Sequence, residues 1–386
     1  MTKIAIIGAG IGGLTTALAL RKFRPDISVQ IFERSPELKA VGAGITLAAN
    51  AMAAFEQLEI HEKVAHKSTI LHRVKILDKA GNIITQTDNI SIDKELGTIS
   101  SFSIHRAHLQ ALLLAELPKT TVHLGKKVTD FTQNDHSVKI QFEDQTTIET
   151  DFVIATDGIH STFRQQLLPH STIRYAGYTC WRGITGHIPP NFDTVTATET
   201  WGNGKRFGIV PIKGGGAYWF ACINSPIANN ETFKAYKKEE LLNSFKGFHK
   251  PIKDLIRLTT QHDIIWNDII DFAPIKQFAF ANILLLGDAA HATTPNMGQG
   301  ACQAIEGAVI LAKTLQQYAD IKDAFRHFEQ KRLNRTAYIV NHSWQLGKIA
   351  QWQNPLATFL RNSIFRLLPA KANKKQIMKI LYVKFE

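Results

Sequence analysis

Cysteine is scarce in this chain: three residues in 386, at Cys180, Cys222 and Cys302, with no CxxC pair. That usage excludes a disulfide framework and a cysteine-built zinc site, and makes a reducing cytoplasm the expected compartment. Also missing is any uncharged apolar run of bilayer-spanning length, so no integral membrane contact is expected. Lys and Arg outnumber Asp and Glu by 45 to 33, yet no block of like charges and no nucleic-acid reading module accompanies the excess. The formal charge of +12 therefore suits a small anionic cofactor or substrate, and no nucleic acid is expected as partner. The closest approach to a metalloprotease signature is His61, Glu62 and His66. Its two histidines are one residue out of helical phase, so they read as surface helix residues and no metal is expected.

What the chain does have is core: 44% of its residues are hydrophobic, enough for one large or two intimately packed domains. Residues 3–7 (KIAII) read as a buried strand, 8–13 as a turn, 14–23 as a helix and 28–33 (SVQIFE) as a second strand, together a βαβ unit. Residues 4–20 could pass for the apolar core of an export signal, but four glycines at meaningful spacing argue against that. They hold the fingerprint Gly8-x-Gly10-x-x-Gly13. Gly8 permits a tight turn, Gly10 lets the backbone approach a pyrophosphate, and Gly13 permits close helix packing. The helix N-terminus then faces the negative charge, and Glu33, ending the next strand, is placed to accept hydrogen bonds from a ribose. Dinucleotide binding is the expected result.

Further along, Gly42 to Gly44 read as a loop feeding a helix from about Asn50. The alternation VKILDKAGNIITQT, with Gly81-Asn82 at its centre, predicts a hairpin inserted into the first domain. An amphipathic helix over 104–117 and a β-meander return the chain to a buried strand, FVIAT, at 152–156. Residues 172–270 change character, with aromatic-rich strands (YTCWRGI, TETWGN, KRFGIVPI, AYWFACIN) and a charged helix near 231–247. ANILLLGD at 281–288 restores a buried parallel-type strand, and helices follow to about Ala350. The basic, amphipathic end reads as a covering helix, with membrane-surface contact as the alternative. The expected fold is α/β: a Rossmann-like domain (1–73, 101–171, 271–345), an inserted, mainly antiparallel substrate domain (74–100, 172–270) and a C-terminal helical segment (346–386).

Two later strands also end in a glycine turn bearing a carboxylate: Asp157-Gly158, followed by Ser161 and Arg164, and Gly287-Asp288. Both carboxylates sit at the carboxyl end of a parallel-type strand, where open α/β sheets bind ligands, although capping a helix is the alternative use of each. GAGIGG with Glu33, DGxxSxxR over 157–164 and GDAAHATTPNMGQG over 287–300 together resemble the single-component FAD-dependent aromatic hydroxylases of the para-hydroxybenzoate hydroxylase type. The similarity keeps motif order and spans essentially the whole chain. YAGYTCWRG and GNGKRFGIVPI resemble the branch containing urate hydroxylases, salicylate-type hydroxylases and zeaxanthin epoxidase.

The resemblance implies a tightly bound, non-covalent FAD. Gly8, Gly10, Gly13, Glu33 and Arg34 would hold its ADP part, with Gly44 and Arg106 also against it. Asp157 and Gly158 would serve the FAD and NAD(P)H pyrophosphates, and Asp288 the ribityl chain. Pro295, Gly298 and Gly300 would set a helix N-terminus beside the flavin pyrimidine ring, where the dipole favours the negative charge of reduced flavin. NADPH or NADH would reduce the flavin, O2 would bind as a C4a-hydroperoxide, and its distal oxygen would reach a small aromatic or heteroaromatic substrate, expected to be anionic. The substrate pocket is expected to draw on Trp181, Trp201, Arg206, Phe207, Tyr218, Trp219 and Phe220, about half of which can point inward because strand side chains alternate. Positions matching Arg206 and Tyr218 fix the anion and relay a proton in urate-hydroxylase-like relatives. Asn296, after Pro295, departs from the carboxylate that a urate-type site would use. Epoxidation of an apolar polyene, and an oxidase or reductase that inserts no oxygen, are the alternatives, and the protein is expected to be a monomer or homodimer.

Overall fold

Runs of buried aliphatic residues build the first sheet of the computed structural model, which describes residues 1–38, 44–188 and 192–385. From Ile4 to Ile7, Val153 to Ala155 and Ile283 to Leu285 every residue is 4% exposed or less. Such two-sided burial is the mark of parallel strands covered on both faces. Across the sheet the order is Ala279–Phe280, Ile283–Leu285, Phe152–Ala155, Lys3–Ile7, Ser28–Phe32 and Val122–His123, parallel except for the first pair. Ile4 lies beside Phe152 and Val153 beside Ile283, so three distant parts of the chain share one core. Helices Ile11–Phe23 and Gly300–Gln317 pack on each other. Because the chain leaves its central strand to one side first and returns on the other, a crevice opens at the strands' carboxyl ends, the usual ligand site of such sheets.

The second sheet runs Ile265–Phe272, Ile173–Thr185, Gly216–Asn224, Lys205–Ile212, Thr196–Trp201, Arg73–Asp78 and Ile83–Asp88. Its neighbours are antiparallel except where Thr196–Trp201 runs parallel to Arg73–Asp78. The hairpin expected at Gly81-Asn82 forms its edge, with the Asp78 carboxylate accepting from the N–H groups of Ala80 and Asn82.

Two expectations are corrected. Of the loop expected at Gly42 to Gly44, Gly44 instead opens a strand, Gly44–Ala48, paired with Ser101–His105, while Gly42 and Ala43 lie outside the described residues; the helix expected from about Asn50 starts at Ala49. The stretch 231–247 holds two short helices, Glu231–Lys234 and Lys238–Ser244. A new N-terminus forms between them because the Glu240 carboxylate takes the N–H of Lys237 at 2.8 Å.

The long helix Ile321–Ala350 is tied to Gly300–Gln317 by a buried charge cluster. Glu306 pairs with Arg332 and Arg335, the latter at 2.8 Å, and accepts from Asn50 at 2.7 Å. Burial works against this carboxylate, but the two guanidinium groups outweigh it and hold the pKa below the usual range. His291 lies buried nearby, and burial, then the charge of Arg332, push its pKa down from 6.5 to about 3. The folded protein therefore keeps this imidazole neutral while an unfolded chain would protonate it. Its contribution to stability is complete above about pH 6.5 and is lost as pH falls toward about 3, at up to about 1.4 kcal/mol per pH unit. We expect His291→Gln to flatten the acid side of a plot of denaturant midpoint against pH; an unchanged slope would contradict the assignment.

Candidate active site

The carboxyl ends of the first sheet and one face of the second enclose a cleft of about 1150 Å³. Of the cofactor candidates, Gly8, Gly10, Glu33, Arg34, Gly44, Arg106, Asp157, Gly158, Asp288, Pro295, Gly298 and Gly300 all line it. Gly13 does not: it lies behind the turn, where a Cβ would collide with the Gly8 carbonyl oxygen and stand 2.7 Å from Thr156 Oγ1. Gly8 itself has φ +104°, a conformation open to glycine. A Cβ at Gly10 would meet nothing within 4 Å, so this edge of the turn is open for a ligand to approach.

Polar groups along the cleft are fixed by backbone and left with spare capacity. Glu33 accepts from Ala9 N–H at 2.7 Å and from Ser35 N–H at 2.9 Å, one bond to each oxygen. Asp157 takes up one of the two uses weighed for it and leaves an oxygen for the other: Oδ2 accepts from Thr162 N–H at 2.9 Å, at the start of helix Thr162–Leu167, while Oδ1 is buried with no partner among the described residues. Burial raises its pKa. Asp288 is open to the cleft yet enclosed by protein on its other sides; that burial raises its pKa and the nearby Arg106 charge opposes the rise. Gly298, with φ +62°, turns the chain into Gly300–Gln317, whose N-terminus opens on the cleft. Two helix N-termini, a glycine turn and an orphaned carboxylate oxygen suit an elongated, anionic dinucleotide. Arg164 is a joint instead, donating to Ile159 O at 2.6 Å and lying 4.2 Å over the Phe272 ring.

On the facing sheet, alternation divides the aromatic candidates. Arg206, Tyr218 and Phe220 point into the cleft, joined by Arg182 and Cys180 from the neighbouring strand. Trp181, Phe207 and Trp219 point the other way, into a core shared with Leu241, Phe245 and Ile252. Trp201 stands opposite Arg206 in the ladder but beyond the end of the cleft, packed against Ile84, Ala350 and the Phe365 ring. Of the six aromatic residues expected at the substrate, Tyr218 and Phe220 line the cleft; Trp181, Trp201, Phe207 and Trp219 are core. Glycine makes room for the inward pair. A Cβ at Gly44 would stand 2.5 Å from Tyr218 Cβ, and one at Gly208 would enter the Phe220 ring.

Arg206 is 3% exposed and already engaged. It donates to Glu199 at 2.9 Å, Gln351 at 2.9 Å and Asn296 at 2.8 Å, and lies 5.2 Å over the Tyr178 ring. Tyr178 also donates to Asn296, at 3.1 Å. Arg182, by contrast, belongs to none of the ion pairs among the described residues; its near neighbours are Cys180 and Tyr218. Burial raises the Tyr218 pKa against the opposing charge of Arg182, so the phenol keeps its proton. Cys180 and Cys222 face each other across their strands as free thiols. The Cys180 thiol is held below the usual range by its hydrogen bond with Cys222 and, against burial, by Arg182 and Arg206. Arg182, Glu199 and the thiol pair went unnoticed in the sequence. An arginine inside an otherwise apolar strand, WRG, was the one available signal.

A model of the FAD binding domain family matches residues 1–341. The chain is 38% identical to the aurachin C monooxygenase/isomerase of Stigmatella aurantiaca, covering 95% of this chain and 94% of that one. It is 30% identical to the 2-heptyl-3-hydroxy-4(1H)-quinolone synthase of Pseudomonas aeruginosa, covering 96% of each. The structure of Klebsiella pneumoniae HpxO complexed with FAD and uric acid superposes with a TM-score of 0.89 at 27% identity, covering 98% of this chain and 96% of that one. With its glycine turn, second helix N-terminus and facing substrate sheet, the chain belongs to the FAD binding domain family, as a single-component FAD-dependent monooxygenase of the aromatic and heteroaromatic hydroxylase class.

Proposed function

We propose that the protein hydroxylates a neutral, bicyclic heteroaromatic ketone of the 4-quinolone type bearing an apolar side chain, with NADPH or NADH as reductant and O2 as oxygen source. The observation that carries this reading is the charge balance in the substrate half of the cleft. Arg206 is neutralised by Glu199, Asn296 stands where a proton-abstracting carboxylate would be needed for urate, and Arg182 shares the cleft with Val210, Phe220 and the two thiols and belongs to no ion pair among the described residues. A carbonyl oxygen suits that single cation and a soft apolar wall suits the ring. A neutral substrate thus replaces the anionic one expected from net charge. Two relatives similar over nearly the whole chain carry aurachin C and a 4(1H)-quinolone in their names.

On this reading Gly8, Gly10, Glu33 and Arg34 hold the ADP part of FAD, Arg106, Asp157 and Gly158 its pyrophosphate region, and Asp288 the ribityl chain. Gly44, Pro295, Gly298 and Gly300, which line the same cleft, would lie against the ring, and the cofactor-holding part of the chain would be discontinuous, over 1–73, 101–171 and 271–345. Bound FAD supplies the redox chemistry, accepting hydride from the nicotinamide and activating dioxygen. Arg182 would hold the substrate carbonyl oxygen and favour the enolate charge that grows there when the oxygenated ring carbon loses its proton and the ring regains its conjugation. Tyr218, protonated, donates a second hydrogen bond. Val210, Phe220, Cys180 and Cys222 exclude water from the reacting edge.

The test uses the yellow holoprotein with NADPH or NADH and three compounds: 2-heptyl-4(1H)-quinolone, urate and salicylate. The quinolone should raise nicotinamide oxidation about tenfold or more over the substrate-free rate, and its product should carry one oxygen from labelled dioxygen. Arg182→Met should raise KM for it by about tenfold, the worth of one hydrogen bond to a charged group. Stimulation by urate or salicylate and none by the quinolone would overturn the proposal.

A further inference from the structure

The last helices carry a feature that the monooxygenase reaction does not use. Helix Pro355–Leu367 is amphipathic the wrong way round for a protein that keeps it to itself. Its inward side carries polar groups around one apolar anchor: Phe365 packs on Trp201, Thr358 donates to Asn203 at 3.1 Å, and buried Arg361 donates to Ala350 O at 2.8 Å while lying 4.9 Å over the Trp201 ring. Its apolar side faces out. Leu356, Phe359, Leu360, Ile364 and Leu367, with Leu368 just beyond, are 49% to 82% exposed. At 100° per residue the five helical ones fall within an arc of about 140°, a continuous stripe rather than scattered surface residues. Single exposed leucines need no explanation; a contiguous stripe does.

We infer that this stripe is a docking face for an anionic lipid surface, on which the helix lies without crossing. Charge decides the occupant. Residues 346–386 hold eight Lys and Arg against one acidic residue, Glu386, an excess that survives the burial of Arg361 and the pairing of Arg366 with Asp78 and Lys374 with Glu95. The stripe's own helix has no carboxylate, and Lys375 and Lys379 on the next helix, Ala370–Leu381, are exposed. A second copy of the chain would bring the same cationic segment against itself, whereas anionic headgroups neutralise it. Trp352, exposed immediately before the helix, supplies the amphipathic ring favoured at a membrane interface. No helix among the described residues is long and apolar enough to cross a membrane, which is consistent with lying on one.

The FAD-loaded protein is sedimented with vesicles of phosphatidylcholine alone and with about one third phosphatidylglycerol. It should pellet with the anionic vesicles, and about tenfold less with neutral ones or in high salt. The triple variant Phe359→Ser, Leu360→Ser, Leu367→Ser should lose that binding by about tenfold or more while keeping its flavin content and its substrate-free nicotinamide oxidation. Lys375→Glu with Lys379→Glu should weaken it with the stripe intact. Failure to pellet with either vesicle would overturn the inference. So would a concentration-dependent dimer in analytical ultracentrifugation that the triple variant abolishes, because the face would then be occupied by a second copy.

Discussion

Replacing Arg206 by methionine is expected to lower substrate-stimulated nicotinamide oxidation by about a hundredfold, and to destabilise the fold at the same time. The guanidinium holds three groups at once, from three separate stretches of chain: Glu199, Asn296 and Gln351. Truncating one partner of a buried, hydrogen-bonded charge pair costs about 2–5 kcal/mol, largely because the other charge is left stranded. Glu199 is still 24% exposed, so water relieves part of that penalty and the loss belongs at the low end of the range. The double variant Arg206→Met, Glu199→Gln removes the stranded charge. Its denaturant midpoint should recover while turnover does not, because the cleft has lost the guanidinium and Asn296, still held by Tyr178, Thr294 and Ser343, has lost one of its two donors. Recovery of turnover in the double variant would show that Arg206 only balances charge and positions nothing.

Gly13→Ala should yield protein that cannot retain flavin, measured as flavin absorbance per mole of purified chain. The added Cβ would collide with the Gly8 carbonyl oxygen, and backbone cannot rotate away as a side chain can. Helix Ile11–Phe23 must shift off the strand, at a cost of about 1–3 kcal/mol, and its N-terminal N–H groups leave the cleft with it. Gly10→Ala makes the informative contrast. Its Cβ meets no protein atom within 4 Å, so thermal stability without flavin should match the parent. Flavin affinity should nevertheless fall by about tenfold or more if the ligand approaches as closely as the glycine fingerprint implies. Equal flavin retention by Gly10→Ala and the parent would remove the turn from the binding site.

How much of this was readable beforehand depended on how local each cause was. The βαβ unit, the hairpin at Gly81 and the glycine turns were legible because their residues answer to sterics within a few positions. The aromatic strands were legible as strands, since alternation is intrinsic to them. Which face of Lys205–Ile212 met the cleft was not, because period two gives two faces and says nothing of what covers each. Trp181, Phe207 and Trp219 therefore stood as candidates beside Arg206, Tyr218 and Phe220, with nothing in the sequence to separate the two faces. The saturation of Arg206 was out of reach for a different reason: its partners Asn296 and Gln351 lie 90 and 145 residues away. Helix Pro355–Leu367 looked like a cover for the core. A hydrophobic stripe marks the face a helix wants buried, but the polar face docked because Arg361 found the carbonyl oxygens of Ile349 and Ala350.

The pairing of Lys3–Ile7 with Phe152–Ala155, and of that strand with Ile283–Leu285, has a consequence for biogenesis. On a ribosome adding about 5–20 residues per second, the third strand emerges roughly 15–60 s after the first. Throughout that interval the nascent chain carries a finished βαβ unit with an unpaired, fully apolar strand edge, the kind of surface that invites aggregation and chaperone capture. Pairings so distant in the chain also close slowly. The cleft, walled by residues 8, 157 and 288, comes into being only with the strand Ile283–Leu285, so FAD would meet a chain already carrying all three walls. A ligand that binds the folded state alone draws the chain toward it by mass action. Flavin supply during synthesis is then expected to raise the amount of protein that accumulates, before any substrate is turned over.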